Sequence, residues 1–445
     1  MAEIAATPQV GVEPRGMKTF FLIWAGELIS MIGSGMTAFA LGVWIYQQTG
    51  RATPFALVAF GSQLPRILLS PVAGTLVDRW DRRKVMILAD TGSALLTLGV
   101  AIMLTFSNLQ IWHIFTMVIL SSCFSAFQEP AYTASITMLV PKKELGRASG
   151  LVQTGQSLET LLSPVLAGIL FVAVGLPGII MIDFITFFFA VGALLVVRIP
   201  QPEYVASEQS GARATVLQDA IFGLKYLLAR TGLLGLLIYF ALVNFFLNIS
   251  VVLSGPLVLS FSTAAGLGIV QTASGAGMLI GSILLSAWGG PKRRVPGIIG
   301  FILLGSCGLL LMGLRPSVVV IAAGFFLLLF SIPLASGPSQ ALFQSKVAPG
   351  VQGRVFAIRM MISRSMMPLA FLLAGPLSDK IFEPLMQSGG RLTQIGLGNL
   401  LGAGPGRGTG LIFIIAATIL ILASLGAFMY KPIRNLEDDL PDAID

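Results

Sequence analysis

The sequence predicts an all-α integral membrane protein with twelve transmembrane helices, arranged as two similar six-helix bundles. Three observations predict this fold class. Only 11% of the 445 residues are charged and 55% are hydrophobic, whereas a soluble domain carries about 25% charged residues. Apolar blocks long enough to span a bilayer as a helix, about 20 residues, recur along nearly the whole chain. Short features of the first half also recur in the second half at a constant spacing.

The apolar blocks form two groups separated by a polar linker. We expect a cytoplasmic tail over residues 1–19, a first bundle over 20–198, a linker over 199–230, a second bundle over 231–430 and an acidic cytoplasmic tail over 431–445. The predicted spans cover residues 20–45, 54–77, 85–106, 111–138, 148–173, 176–198, 231–258, 266–289, 297–314, 317–343, 355–378 and 410–430. Several spans contain Gly or Pro, which membrane helices tolerate better than soluble ones do.

The positions of Lys and Arg predict the orientation. With the N-terminus in the cytoplasm, twenty of the 28 basic residues fall in cytoplasmic segments and five fall outside. Cytoplasmic loops of membrane proteins carry the excess of positive charge, so we expect both termini in the cytoplasm and the protein in the inner (plasma) membrane. The basic residues are spread over short loops, so we expect no nucleic-acid partner.

The second part of the linker has the pattern of an amphipathic helix. Its apolar residues fall on one helical face: Leu217, Ala220, Ile221, Leu224, Leu227 and Leu228. The pattern predicts a helix at the membrane surface that joins the two bundles. A helix that binds a partner protein is the alternative.

An internal repeat supports two related bundles. Gly146-Arg147 before the fifth span matches Gly353-Arg354 before the eleventh at an offset of 207 residues, and Gly74 matches Gly281 at the same offset. Duplicated bundles of this kind place a substrate site near the middle of the bilayer, between the halves, and reach it from alternate sides.

The loop after the second span carries the most specific motif. It reads Gly74-Thr-Leu-Val-Asp78-Arg79-Trp-Asp-Arg82-Arg83-Lys84. This segment resembles the signature G-x-L-x-D-R-x-x-R-R of the major facilitator superfamily, and the sequence around it is similar to the macrolide-efflux and enterobactin-exporter branch. The resemblance implies the major facilitator fold and an exporter of small amphiphilic compounds.

The resemblance also implies a gate at this loop. The gating residues would be Gly74, Asp78, Arg79, Arg82 and Arg83, and the Asp78 carboxylate would cap the amino end of the eleventh span. That contact would latch the outward-facing state. The second half lacks an equivalent Asp, so we expect any latch there to be weaker or absent. Asp81 stands where many members carry Gly, which leaves the turn geometry open.

Ionisable residues inside the spans are costly and indicate functional sites. The candidates for proton coupling are Glu27, Asp90, Glu129, Glu159 and Asp183. The candidate charge partners are Arg66, Arg359 and Arg364. An unpaired carboxyl group in a low dielectric can exchange a proton near neutral pH, as a proton-coupled antiporter requires. A hydrogen-bonded structural role is the alternative for each acid.

Depth in the membrane suggests which of these charges meet. Arg66 and Asp90 lie at similar depth in consecutive spans, so we expect an ion pair between them. Glu27 and Glu129 have no evident partner. Arg359 and Arg364 are expected to neutralise acids of the first half, with binding of an anionic substrate group as the alternative.

Polar residues inside the spans suggest a cavity. The candidates are Gln156, Asn244, Phe245, Asn248, Gln271 and Gln340. Such residues also hold helices together through hydrogen bonds. A pocket that mixes apolar and hydrogen-bonding groups suits a bulky amphiphilic molecule.

The sequence offers few parts for an integral-membrane enzyme. It has one histidine, His113, and two separated cysteines, Cys123 and Cys307, so we expect no metal site, no cofactor and no catalytic cluster. The Gly-rich segment 404–410 lacks the ending of a phosphate-binding loop. The sequence therefore favours a monomeric secondary transporter that exports amphiphilic compounds in exchange for protons. A lysolipid flippase and an uptake symporter on the same fold are the alternatives.

Overall fold

The chain folds into long helices that cross the membrane back and forth. The computed structural model describes residues 16–77, 80–106, 109–141, 144–197, 216–348 and 351–441. The long helices of the first part are α1 (Met17–Thr49), α2 (Ala52–Val77), α3 (Arg82–Thr105), α4 (Ile111–Leu139) and α5 (Leu145–Val196). The shorter α6 (Val216–Leu228) precedes α7 (Thr231–Leu259), α8 (Ala264–Trp288), α9 (Arg294–Leu314), α10 (Val318–Lys346) and α11 (Gln352–Pro376).

The chain after α11 is broken into short pieces before the last long helix. A π-helical turn (Leu377–Phe382) is followed by α12 (Glu383–Met386), α13 (Arg391–Gln394), α14 (Leu397–Leu401), the long α15 (Arg407–Met429), α16 (Lys431–Arg434) and α17 (Leu436–Asp439). Within the described ranges, eleven helices are long and apolar enough to cross a membrane. The predicted all-α membrane fold is confirmed.

Helix α5 supplies two of the twelve predicted spans. It contains 52 residues, and its backbone leaves the helical conformation at Gly175, where φ is 66° and ψ is −174°. A positive φ of this kind favours glycine, and Pro177 follows directly. About 20 residues suffice to cross the bilayer, so the chain turns back at Gly175, between the predicted fifth and sixth spans.

Basic side chains bind the helix ends of the first bundle on the side predicted to be cytoplasmic. Asp81 caps α3, because its carboxylate accepts a hydrogen bond from the Lys84 amide (3.2 Å). Buried Arg82 donates to the Ala134 carbonyl near the end of α4 (2.9 Å). Arg83 donates to two carbonyls at the end of α5 (2.7 and 2.8 Å). Asp81 therefore acts as the N-cap of α3, while residues 78–79 of the same loop lie outside the described residues.

The two bundles meet at the end formed by the ends of α1, α7 and α11 and the beginnings of α2, α8 and α15. We call it the outer end, because the predicted orientation places it outside the cell. Helices α5 and α8 approach so closely there that a Cβ atom on Gly268 would lie 2.7 Å from the Pro164 carbonyl oxygen. The Phe55 ring of α2 packs against Gly42 of its own bundle and Gly255 of the other. Small residues at such contacts let membrane helices pack backbone to backbone. These contacts close the outer end.

The linker helix α6 packs against the beginning of α11. A Cβ atom on Gly223 would lie 2.7 Å from the Arg354 carbonyl oxygen, and Leu227 is fully buried while Leu224 stays exposed. Linker residues 199–215 lie outside the described residues. The location of α6 at the membrane surface stays a prediction.

The acidic tail folds onto the second bundle as far as the structure describes it. The Glu437 carboxylate accepts a hydrogen bond from the Arg294 amide (2.6 Å) and so caps α9. The Lys346 ammonium group donates to the backbone carbonyls of Glu437 (2.7 Å) and Leu440.

Candidate functional site

A buried cluster of polar groups joins α1, α3 and α4. Glu27 is 5% exposed, and its Oε2 accepts a hydrogen bond from Gln128 Nε2 (3.0 Å). Asp90 lies close enough to act electrostatically on the Glu27 carboxyl group. Glu27 Oε1 and Asp90 Oδ2 are both buried without a hydrogen-bond partner among the described residues. The cluster therefore holds two neighbouring carboxyl groups, each with one unsatisfied oxygen.

Arg66 forms an ion pair with Glu129, with 2.8 Å between Nη2 and Oε2. The prediction that Arg66 pairs with Asp90 is wrong; its partner is Glu129, for which the sequence offered no evident partner. The two side chains are 39% and 62% exposed. Glu159 of α5 also lies within electrostatic range of Arg66. Equal depth identified the partner poorly, because it gives no information on the direction in which each side chain points.

Asp183 is a hydrogen-bonded acid in the second half of α5. Its side chain is buried, and Oδ1 accepts a hydrogen bond from the Ser34 hydroxyl of α1 (3.1 Å). Its Oδ1 also lies 3.0 Å from where a Cβ atom would sit on Gly33. These contacts tie α1 to α5, and they fit the structural alternative for this acid.

Arg359 is held by neutral groups of the second bundle. Its guanidinium donates to Gln340 Oε1 (2.8 Å) and to the Ser339 hydroxyl (3.1 Å), and it lies 4.3 Å from the centre of the Phe343 ring. Within the described part of the chain it contacts no acid of the first half, so that predicted pairing is wrong for Arg359. Arg364 is exposed.

The other cavity candidates differ in how they are held. Asn244 donates to a serine hydroxyl on α11 (3.1 Å), and Asn248 donates only to the Asn244 carbonyl within its own helix (2.7 Å). Phe245 packs edge-on against the next phenylalanine, with 5.3 Å between ring centres. Gln156 is exposed and Gln271 half-buried, and neither side chain has a hydrogen bond within the described ranges.

The predicted gating loop is described only in part. Asp78 and Arg79 lie outside the described residues, so the expected cap on α11 stays a prediction. A Cβ atom on Gly74 would have no described atom within 4 Å. Arg82 and Arg83 bind helix ends of their own bundle.

The sequence reasoning missed Asp379, which lies in the π-helical turn after α11. Its Oδ1 accepts a hydrogen bond from the Ala52 amide (2.9 Å) and its Oδ2 one from the Thr53 amide (2.7 Å). A carboxylate of the second bundle thus caps α2 of the first bundle at the outer end.

Comparison with known proteins gives a consistent family. The model of the Major Facilitator Superfamily matches residues 23–371. Macrolide efflux protein A of Streptococcus pyogenes is 29% identical over 378 residues, which cover 81% of this chain and 90% of that protein. The multidrug efflux pump Tap of Mycobacterium tuberculosis is 25% identical over 373 residues, covering 81% and 87% of the two chains.

A solved structure shows the same fold. It is the crystal structure of a bacterial homolog of the human lysosomal transporter Spinster, in an inward-facing and unoccupied conformation. Its TM-score is 0.69 at 15% identity, and the match covers 97% of this chain and 99% of the other. At this identity the likeness concerns the fold. Family and relatives together identify a multi-pass membrane transporter and not an enzyme.

Proposed function

The chain belongs to the major facilitator superfamily, and from this premise we propose that it exports small amphiphilic compounds through the inner membrane in exchange for protons. Glu27 and Asp90 form the proton-exchanging site. The direction of transport and the substrate class are supported by the relatives named for macrolide and multidrug efflux. Macrolides are therefore the first substrates to test.

The observation that carries the proposal is the pair of neighbouring carboxyl groups of Glu27 and Asp90, each of which has one buried oxygen without a described hydrogen-bond partner. In a low dielectric, two adjacent carboxyl groups repel each other when both are ionised, so a pair of this kind holds a proton between them. The unsatisfied oxygens Glu27 Oε1 and Asp90 Oδ2 are the atoms on which that proton would reside. Taking up a proton from one side and releasing it to the other changes the charge of the site by one.

The membrane potential makes such an exchange useful. One elementary charge that crosses the membrane gains about 2.3 kcal/mol per 100 mV. This free energy supports a concentration ratio of about 40-fold for an exported neutral compound, since about 1.4 kcal/mol corresponds to tenfold. A single proton per cycle is sufficient for drug export.

The substrate path is supported by polar side chains that stay exposed within the spans. An exposed ion pair such as Arg66–Glu129 would be costly against lipid, so we infer that it faces an aqueous opening between the bundles. Gln156 and Gln271 would add hydrogen-bonding groups to the same opening. A surface of this mixed character suits bulky ligands with apolar bulk and scattered polar groups.

Everted membrane vesicles test the proposal. Accumulation of a radiolabelled macrolide should require a pH gradient and should collapse when a protonophore is added. In Glu27→Gln and Asp90→Asn vesicles, proton-driven accumulation should fall at least about tenfold, as expected when more than about 1.4 kcal/mol of coupling is lost. Exchange of internal for external macrolide, which needs no proton, should persist in both variants.

Asp183→Asn is the matched control, because this buried acid accepts a hydrogen bond from Ser34 and, unlike Glu27 and Asp90, has no buried oxygen left without a described partner; it should keep proton-driven accumulation. Unchanged accumulation in both the Glu27 and Asp90 variants would remove the pair from the mechanism. Movement of a fluorescent lysolipid that is insensitive to the protonophore would favour the flippase alternative.

A further inference from the structure

The end of α11 repeats the motif that ends α2. The sequence from the end of α2 onward reads Ala73-Gly74-Thr-Leu-Val-Asp78-Arg79, and the sequence from the end of α11 into the π-helical turn reads Ala374-Gly375-Pro-Leu-Ser-Asp379-Lys380. Both segments read A-G-x-L-x-D followed by a basic residue. Helices α2 and α11 run in opposite directions through the membrane, so the two copies lie at opposite faces. The copy in α11 lies at the outer end.

The α11 copy forms a direct bond between the bundles. Each oxygen of the Asp379 carboxylate accepts one hydrogen bond from a free amide at the beginning of α2, those of Ala52 (2.9 Å) and Thr53 (2.7 Å). The first amides of a helix have no partner within the helix, and the helix dipole favours an anion there. Hydrogen bonds to an ionised acceptor are about twice as strong as neutral ones. The contact joins the turn after α11 to the beginning of α2 at the outer end, where the two bundles meet.

The second bundle holds Asp379 firmly in place. The chain around it is a π-helical turn, a rare conformation that is frequent at functional sites. Glu383, the first residue after this turn, accepts hydrogen bonds from the amides of Gly406 (3.1 Å) and Thr409 (2.9 Å) at the start of α15. The hydroxyls of Ser378 and Thr409 are 2.7 Å apart. The turn is therefore anchored to α15 while Asp379 extends to the other bundle.

The two glycines of the repeated motif are in different surroundings. A Cβ atom on Gly375 would lie 2.5 Å from the Thr53 Cα atom, which means that α11 and α2 touch backbone to backbone at the outer end. A Cβ atom on Gly74 would meet no described atom within 4 Å. One copy of the motif is thus in contact with the opposite bundle, while the glycine of the other copy has no described atom close to it.

We propose that Asp379 is the outer latch of the transport cycle. Its carboxylate holds α2 against α11 when the outer side is closed, and it must release the Ala52 and Thr53 amides before that side opens. With Asp78 in the role that the family resemblance implies, α2 and α11 carry reciprocal latches, each capping the amino end of the other. Asp379 does not occupy the position that the internal repeat makes equivalent to Asp78, because the loop after α8 contains no Asp. The latch acts on the conformational equilibrium, so it does not depend on the proton site or the substrate.

Spin labels across the outer end test the latch in the full-length protein in lipid nanodiscs. In a background with both native cysteines changed to Ser, Gln48→Cys and Gln387→Cys place labels on exposed positions of the two bundles at that end. Double electron–electron resonance then gives the populations of short and long label distances. Asp379→Ala should raise the ratio of long to short distances by about tenfold or more. A loss of about 1.4 kcal/mol from the free energy that favours the outer-closed state suffices for this change.

Asp379→Asn should raise the same ratio by less, because it keeps one acceptor oxygen. Because Asn has nearly the same shape as Asp, the Asp379→Asn variant provides the test if the Ala variant unfolds. Lys380→Gln, at the exposed neighbouring position, is the matched control and should reproduce the parent distances. Parent-like distances in both Asp379 variants would overturn the latch. Since no transport is measured, a failure of the proposed proton coupling leaves this result unaffected.

Discussion

Glu27 and Asp90 combine burial with incomplete hydrogen bonding, which is unfavourable for folding. Each carries a buried oxygen without a partner in the described structure. A buried polar group left unsatisfied costs about 1–3 kcal/mol. Sites that are destabilising but retained for activity are a common source of conflict between stability and function. Stability and transport should therefore respond in opposite directions when these residues are neutralised.

Asp90→Asn provides the sharpest form of this prediction. Removing a buried charge that lacks a full set of partners should leave the unfolding temperature unchanged or raise it, while proton-driven transport is lost. Thermal unfolding of the purified protein, followed by intrinsic fluorescence, measures the first effect. Asp183→Asn should instead lower stability by about 1 kcal/mol, because the Ser34 hydroxyl would lose a charged acceptor. A large loss of stability in Asp90→Asn would mean that Asp90 is a structural carboxylate.

The sequence identified the charged residues within the spans more completely than it identified which of them pair. Sequence reasoning selected both Arg66 and Glu129, and a signal for their pairing was present: Arg66 lies eleven residues before the end of α2 and Glu129 ten before the end of α4. These helices cross the membrane in the same direction, so the two residues lie at equal depth. Depth alone is equally consistent with a pair between Arg66 and Asp90. Which acid Arg66 faces depends on the rotation of each helix about its axis, and packing between helices sets that rotation.

At the scale of helices, the basic loop after α2 has a structural role that composition did not reveal. Arg82 and Arg83 bind carbonyl groups at the ends of α4 and α5. Cations at helix carboxyl ends are favoured by the helix dipole, and these contacts gather three helices at one membrane face. Positive charge at this loop therefore stabilises the packing of the first bundle, in addition to the part it plays in the predicted orientation.

Single substitutions separate these two roles. Arg82→Ala and Arg83→Ala should each destabilise the protein by about 1–3 kcal/mol, as expected for lost hydrogen bonds from a charged donor. Lys84→Ala removes the same charge from an exposed side chain and should change stability by less than about 0.5 kcal/mol. Thermal unfolding of the three variants measures the difference. Equal effects would show that loop charge matters and the carbonyl contacts do not.

The spans were predicted closely, but not every element was. The predicted boundary between the fifth and sixth spans, after residue 173 and before residue 176, includes Gly175, where the backbone leaves the helical conformation. No local sequence pattern distinguishes the π-helical turn at Leu377–Phe382 from an ordinary helix end. Its form depends on the contacts of Ser378 and Glu383 with α15, which are long-range.

At the scale of the molecule, the two bundles share a fold but differ in chemistry. The buried acids lie in the first bundle, whereas the second contributes Arg359 and several amides within its spans. Proton exchange would then change the charge of the first bundle, and the substrate would contact both bundles. Coupling of proton exchange to substrate transport requires a structure that switches as a whole. Such a switch must separate α2 from α11 and α5 from α8 at the outer end, where these helices are in close contact.

This arrangement depends on which face of the membrane each helix end occupies, and that orientation is directly testable. The excess of Lys and Arg in alternate loops predicts that both termini are cytoplasmic, which places Gln387 outside and Lys292 inside. In intact cells, a membrane-impermeant maleimide should label Gln387→Cys at once, but Lys292→Cys only after the membrane is permeabilised. Both cysteines would stand at exposed positions in a protein with Cys123 and Cys307 replaced by Ser. Labelling in the opposite order would invert the topology, and Asp379 would then latch the cytoplasmic side of the transporter.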